Sequence, residues 1–158
     1  MRLNVGCGDY PNKDKINVDI AYVPGVDVVC DAMYLPFKDD VADEVFLIHM
    51  VEHFRYLEVK KLLQEIKRVM KKDGFLIIEA PDLNKAINNF IGDGNISSLL
   101  KSLYGTQNKK YSLHQHYFCW TPEMMNYELK RVGLKPYYDG DGTSHNRPER
   151  DFRVQARK

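Results

Sequence analysis

The stretch ADEVFLIHMVEH, residues 42–53, admits two readings, and the fold turns on the choice. Its last five residues, His49 to His53, fit the H-x-x-E-H pattern, in which one helix presents two histidines to zinc and a glutamate to a water. The residues before them, Ala42 to Ile48, form a run rich in Val, Phe, Leu and Ile. Such a run reads as a strand of a parallel sheet buried on both faces. A strand that runs into the motif leaves His49 on the strand and His53 on the next element. The i, i+4 geometry is then divided between two kinds of structure, and the two rings do not share a helical face. The strand reading puts His49 and Met50 at a strand's carboxyl end.

Working outward, similar runs recur. RLNV (2–5) ends in Gly6, INVDI (16–20) and VDVVCD (26–31) come next, and GFLIIEAPD (74–82) lies beyond the opening stretch. Between that stretch and GFLIIEAPD, Val59, Leu62, Leu63, Ile66, Val69 and Met70 repeat at helical period, which predicts one helix with an apolar face. Lys71 and Lys72 suit its negative end, with Gly74 just beyond. A second helix is predicted from Thr121 as N-cap, with Pro122 in the first turn and Gly133 as the stop. LKPYYDG and DFRVQARK then read as an antiparallel pair joined by DGDGTSHNRPER. Residues 83–120 are too long for an ordinary connection. They predict two short helices, near 84–91 and 97–104, and a lid or substrate-binding insertion.

The chain has 158 residues, of which 44% are apolar, and this fits a single domain, 1–158. Lysine and arginine number 23 against 22 acidic residues, a balance that argues against nucleic acid and membrane surfaces as partners. The basic and aromatic mixture of residues 101–118 is the one feature that resembles a single-strand binder. Cys7, Cys30 and Cys119 are odd in number and widely spaced, so they read as reduced thiols of a cytoplasmic protein. No signal peptide precedes the first strand, and no apolar run is long enough to span a bilayer.

In open α/β sheets, ligands bind beyond the carboxyl ends of the strands. Those ends carry, in chain order, Gly6-Cys7-Gly8, then Asp19, then Asp31-Ala32, then His49-Met50. Glycines let backbone approach a ligand closely. A carboxylate at Asp19 can accept both hydroxyls of a ribose. Asp31 can accept from the amine of an adenine, with Ala32 leaving room beside the ring.

This ordered set resembles the class I S-adenosylmethionine-dependent methyltransferases. LNVGCG is similar to their glycine motif, NVDI to the acidic ribose motif, and CDAMYLPFKDDVADEVFLIHMVEHF to the adenine motif running into the fourth strand. LLQEIKRVMKKDGFLIIEAPD resembles their next helix, turn and fifth strand. The likeness is close over residues 3–82 and looser beyond. It implies a Rossmann-like α/β sheet of seven strands in the order 3-2-1-4-5-7-6, with strand 7 antiparallel. It also implies S-adenosylmethionine as cofactor, S-adenosylhomocysteine as product, and cofactor contacts at Gly6, Cys7, Gly8, Asp19, Ile20, Asp31, Ala32, His49 and Met50. INVDI soon after GCG, and LYG before the histidines, resemble a subgroup of small predicted methyltransferases of the type 11 kind, associated with glycan or small-molecule modification.

Two departures stand out. Only ten residues, Gly6 to Lys15, join the first two strands, and they are polar with a proline. A crossover with its helix takes at least about 10–12 residues, so the first helix is shortened or missing. The cofactor's carboxylate then falls to backbone N–H groups of the Gly6–Asp9 turn, to Lys13, or to the insertion. The sequence also has at most two residues before its first strand, which leaves any lid to 83–120 or to a partner subunit in a homo-oligomer.

Displacement at a sulfonium asks mainly for alignment and exclusion of water. If the acceptor loses a proton, His49 and His116 are the candidate catalytic groups, since histidine suits proton removal near neutrality. A metal cluster of His49, His114 and His116 is the other use for these rings, and no metal is assigned. Three functions remain to compare: a methyltransferase for a small-molecule or glycan acceptor, a catalytically inactive nucleoside-binding or regulatory protein of the same fold, and a zinc hydrolase using HMVEH.

Overall fold

Leu3, Val5, Val18, Val45 and Leu47 are all fully buried, and they alternate along the central strands of one seven-stranded sheet. The computed structural model describes residues 1–106, 114–145 and 147–158. The strands are β1 (Arg2–Val5), β2 (Ile16–Asp19), β3 (Val28–Val29), β4 (Ala42–Ile48), β5 (Met70–Pro81), β6 (Lys135–Asp141) and β7 (Asp151–Arg157). Their order is β3-β2-β1-β4-β5-β7-β6. The first five run parallel, and β7 is antiparallel to both β5 and β6. The expected order and the reversed strand are both present. The stretch 42–48 is a strand, so the zinc-helix geometry does not form.

Helix α1 (Tyr56–Val69) buries Val59, Leu62, Leu63, Ile66 and Val69 completely. Each such side chain contributes about 1.5–3 kcal/mol. At its start Glu58 reaches back to the Arg55 N–H, 2.9 Å away. Its end differs from expectation. The helix stops at Val69, and Met70 is already extended and paired with Ala42 in the sheet. Lys67 and Arg68, not Lys71 and Lys72, therefore lie in the last turn. Gly74 is inside β5, where a Cβ would stand 2.9 Å from the Lys71 carbonyl oxygen and 3.1 Å from that of Ala42. It serves close packing of backbone, not a helix stop.

The third strand is also shorter than 26–31. Asp27 turns its carboxylate onto the Asn17 N–H at 2.7 Å, and Asp31 folds onto the N–H of Met33 at 2.8 Å. These local bonds compete with the ladder on either side of two paired residues.

No helix joins β1 to β2. Two buried asparagines take its place. The Asn17 side-chain oxygen accepts from the Asn4 amide at 3.0 Å and from the Asn12 N–H at 2.8 Å, and its own amide donates to the Asn12 carbonyl at 3.0 Å. Lys15 lays its ammonium 3.5 Å over the ring of Phe46 in β4. Pro11 packs on Gly25, where φ is +96° and a Cβ would sit 2.6 Å from the proline ring.

The insertion contains α2 (Leu83–Asp93) and α3 (Ile96–Tyr104), close to the two expected helices. Residues 107–113, within the basic and aromatic stretch, lie outside the described residues. Trp120, wholly buried, closes the insertion: its carbonyl accepts from the Leu83 N–H at 2.8 Å. Thr121 caps α4 (Pro122–Arg131) through the Met124 N–H. No helix among the described residues is long and apolar enough to cross a membrane.

Candidate functional site

A cleft of about 1010 Å³ opens at the carboxyl ends of β1, β2 and β4. Gly6, Cys7, Gly8, Asp19, Ile20, Asp31, Ala32, His49 and Met50 all line it, and so does His116. The sheet register brings these together, because Val5 stands beside Val18 and Asn4 beside Phe46. The strands therefore end level with one another.

At Gly6 φ is +72°, and a Cβ would lie 2.7 Å from Met50 Cγ. The glycine thus admits Met50 beneath the turn. Gly8 has φ +49° and nothing within 4 Å of a Cβ, so that face is open. The Gly6 and Cys7 N–H groups both donate to the Val18 carbonyl, at 2.8 and 3.1 Å, and the Gly8 N–H donates to Asp19 Oδ2 at 2.8 Å. Three of the four N–H groups of the Gly6–Asp9 turn are thus engaged within the protein, which leaves Asp9 N–H and the insertion among the groups expected to meet a cofactor carboxylate. Lys13 is not among the cleft residues, whereas Lys15 and Lys101 are. The Cys7 thiol is buried, and burial, then the Asp19 charge, push it up to about 11. It stays protonated near neutrality.

Asp19 uses one oxygen on Gly8 and the other on the Ala21 N–H at 2.9 Å. Each carboxylate oxygen keeps a further lone pair. Ile20 beside it is 61% exposed, an apolar surface available to a flat ring.

His49 has φ +50°, a left-handed conformation that turns the chain from β4 into a single 3-10 turn, Val51–His53. Its ring is mostly buried and bonded on both sides. Nδ1 lies 3.1 Å from Glu52 Oε1, and Nε2 lies 3.1 Å from Asp151 Oδ2 and from Arg150 Nη2. Burial opposes a charge on the ring, but the hydrogen bonds to Asp151 and Glu52 outweigh it and raise its pKa to about 9. His145 stacks on it with ring centroids 4.6 Å apart. His116 is half-buried and donates from Nδ1 to the Ser102 carbonyl at 2.8 Å.

Sequence reasoning misses Glu52, His145, Arg150 and Asp151 as members of the site. Glu52 lies within the Val51–His53 turn, but it is also a 1%-exposed carboxylate. Arg150 ends the loop DGDGTSHNRPER and Asp151 opens the strand DFRVQARK. Only long-range pairing of β7 with β5 places them by His49. Their one visible signal is a strongly charged loop ending at a strand that closes the sheet.

The group most demanding of fit is the adenosyl cofactor. The open face at Gly8, the spare lone pairs of Asp19 and the exposed Ile20 beside it suit its ribose and adenine. The residues present therefore fit the group.

A methyltransferase-domain family model matches residues 10–78. An uncharacterized protein of Methanocaldococcus jannaschii is 41% identical over 51 residues, 32% of this chain and only 21% of that one. The match thus spans about a fifth of the curated relative's length. Among solved structures, an S-adenosylmethionine-dependent methyltransferase from Methanosarcina mazei superposes with TM-score 0.70 at 16% identity, covering 99% of this chain and 91% of that one. The Burkholderia thailandensis 1,6-didemethyltoxoflavin N1-methyltransferase, solved with 1,6-didemethyltoxoflavin and S-adenosylhomocysteine, gives 0.68 at 13% identity, covering 99% and 70%. The [4+2]-cyclase SpnF gives 0.64 at 16%, covering 99% and 73%. The chain therefore has the fold of these S-adenosylmethionine-dependent methyltransferases, and its residues 10–78 resemble a methyltransferase domain.

Proposed function

We propose that the protein is an S-adenosylmethionine-dependent methyltransferase acting on a small-molecule or glycan acceptor. The observation that carries this reading is the convergence of Gly6, Gly8, Asp19, Asp31 and His49, from four successive strand ends, on one cleft. The cofactor, when bound, supplies a methyl group on a sulfonium that is already a good leaving group. Asp19 holds the ribose, Asp31 and Ala32 the adenine edge, and Ile20 one face of the ring. Gly6, Cys7 and Gly8 let the chain run close to the methionine portion, and Lys15 or Lys101 supplies the charge that its carboxylate needs. Helix α3 and the returning segment with His116 form the acceptor side and exclude water.

The role of His49 is electrostatic and positional. Both ring nitrogens already face protein carboxylates, so neither lone pair is open to a substrate proton. If the acceptor must lose a proton, His116 is the better placed base, because only its Nδ1 is tied to a carbonyl. The three cysteines are free thiols, which fits a reducing, cytoplasmic setting.

The test is thermal. S-adenosylhomocysteine or S-adenosylmethionine at millimolar concentration should raise the melting temperature by linkage. No rise with either ligand would remove the reading. A second reading, the same fold with methyl transfer lost or replaced, is favoured by the engaged N–H groups of the glycine turn and by the likeness to a [4+2]-cyclase. Binding of both ligands, with no transfer to a panel of sugars, amines and phenols, would favour that one.

A further inference from the structure

Beside His49 the cleft holds a second group of side chains, of which the methyl-transfer reading draws on His116 alone. Glu52, His53 and His116 each bring one ligand atom to within 4.8 Å of the others. Glu52 is 1% exposed. Its Oε1 is held by His49 Nδ1, and its Oε2 has no hydrogen-bond partner among the described residues. A buried carboxylate oxygen with no donor is costly, so it points to a partner of another kind.

The two histidines are prepared in the same way. His53 Nδ1 stands 2.9 Å from the Gln115 carbonyl oxygen, and His116 Nδ1 stands 2.8 Å from that of Ser102. A carbonyl oxygen only accepts, so each ring carries its proton on Nδ1 and its lone pair on Nε2. A metal-bound imidazole has this arrangement, with its other N–H on a carbonyl and its neighbouring carboxylate hydrogen-bonded in turn.

The chain also fixes the two rings on one another. The Glu52 carbonyl accepts from the N–H groups of Tyr117 and Phe118 at 2.8 and 3.3 Å. Gly105, at φ +67°, lets the chain pass His116, since a Cβ there would stand 2.7 Å from the ring's Cδ2. The His53 and His116 rings meet edge-on with centroids 5.2 Å apart.

We propose that Glu52, His53 and His116 bind one divalent transition-metal ion of the zinc class. Two imidazoles and a carboxylate are a donor set for zinc, with a fourth position left for a water or substrate atom. Zinc bonds of about 2.0–2.1 Å set tetrahedral ligands roughly 3.3 Å apart, so the three atoms close by at most about 1.5 Å on binding. The open position faces the cleft, where it takes an oxygen or nitrogen of the bound acceptor. His49 is no ligand in this site; it holds the carboxylate that is one. Binding of the ion is testable apart from the methyl-transfer reading, but its use for the acceptor rests on that reading, and with the ion bound His116 is a ligand and not a base.

The experiment uses chelator-stripped protein and Co²⁺ as a visible probe for zinc. One equivalent of Co²⁺ should give a d–d absorption band, and Zn²⁺ should abolish it and raise the melting temperature. His53→Ala and His116→Ala should each lose the band, while His145→Ala, a cleft histidine outside the cluster, should keep it. Glu52→Gln preserves the side chain's shape and should weaken Co²⁺ at least tenfold. No band in the unaltered protein, or a band unchanged in the His53 and His116 variants, would overturn the proposal.

Discussion

His49 Nε2 lies 3.1 Å from Asp151 Oδ2, across 102 positions of sequence, and this contact ties the end of β4 to the start of β7. Asp151 is 1% exposed and also carries the Arg150 guanidinium. Burial disfavours its charge, but the hydrogen bonds from His49 and Arg150 prevail and hold its carboxyl down at about 2, against an ordinary 3.8. A carboxylate depressed on folding stabilises the native state above its unfolded pKa. That contribution disappears as pH falls from about 3.8 through about 2. Asp151→Asn should therefore cost up to about 3–5 kcal/mol at pH 7, the range for breaking one side of a buried pair. Its deficit should shrink across that acid window in urea titrations at stepped pH. A deficit that stays constant from pH 5 to pH 2 would show that the charge is not what Asp151 contributes.

Asp19 offers a direct test of the cofactor site. Asp19→Asn keeps one carbonyl oxygen for Gly8 or Ala21 but loses the charge that two ribose hydroxyls would meet. Hydrogen bonds to charged groups contribute about 1.5–3 kcal/mol. S-adenosylhomocysteine should therefore bind roughly 10- to 150-fold more weakly by isothermal titration calorimetry. Equal affinity in the two proteins would move the ribose elsewhere.

The asparagine clamp that replaces the first helix makes a separate prediction. Asn17→Ala removes the acceptor for Asn4 and Asn12 and leaves the buried Asn4 amide short of a partner. An unsatisfied buried polar group costs about 1–3 kcal/mol, and a loss of that size should appear in denaturant midpoints. Protection of the Asn12 amide against hydrogen exchange should fall as well. A variant as stable as the parent would mean that the crossover is held by Pro11 on Gly25 and Lys15 on Phe46 alone.

The sheet is readable from sequence because its signals are local. Val, Ile and Leu runs mark strands buried on both faces, and α1 shows its period in five buried residues. The cleft residues on β1, β2 and β4 are readable because strand ends are where such sheets bind. The strand order comes from resemblance, since nothing within RLNV or INVD says which strand lies beside it. The end of α1 is misplaced because Lys71 and Lys72 look like a helix terminus. Only the pairing of Met70 with Ala42 shows that the chain has already entered the sheet. The Asn4–Asn17 clamp and the Glu52–His49–Asp151 chain are hidden for a related reason. Their partners come from different elements, and a polar residue gives no sequence sign of which partner will bury it.

Glu79 shows how the core reaches the cleft's rim. It is fully buried in β5, and its Oε2 accepts from the Ser144 N–H at 2.8 Å while Oε1 meets Arg153 Nη1 at 3.0 Å and Thr143 at 3.2 Å. It thus anchors the β6–β7 loop at the residue before His145, the ring that stacks on His49. Glu79→Ala leaves Arg153 without its buried partner, at a cost on the order of 3–5 kcal/mol. In a chain of this size 1 kcal/mol corresponds to about 2–4 °C, so melting should fall by roughly 6–20 °C. Stability alone would not show that the loop is what Glu79 holds. Hydrogen exchange does: the Ser144 amide should lose protection far more than the Ile78 amide within β5, because its acceptor is gone while the ladder remains. Equal loss at both positions would make Glu79 a general support of the sheet, with no particular hold on the loop that carries His145.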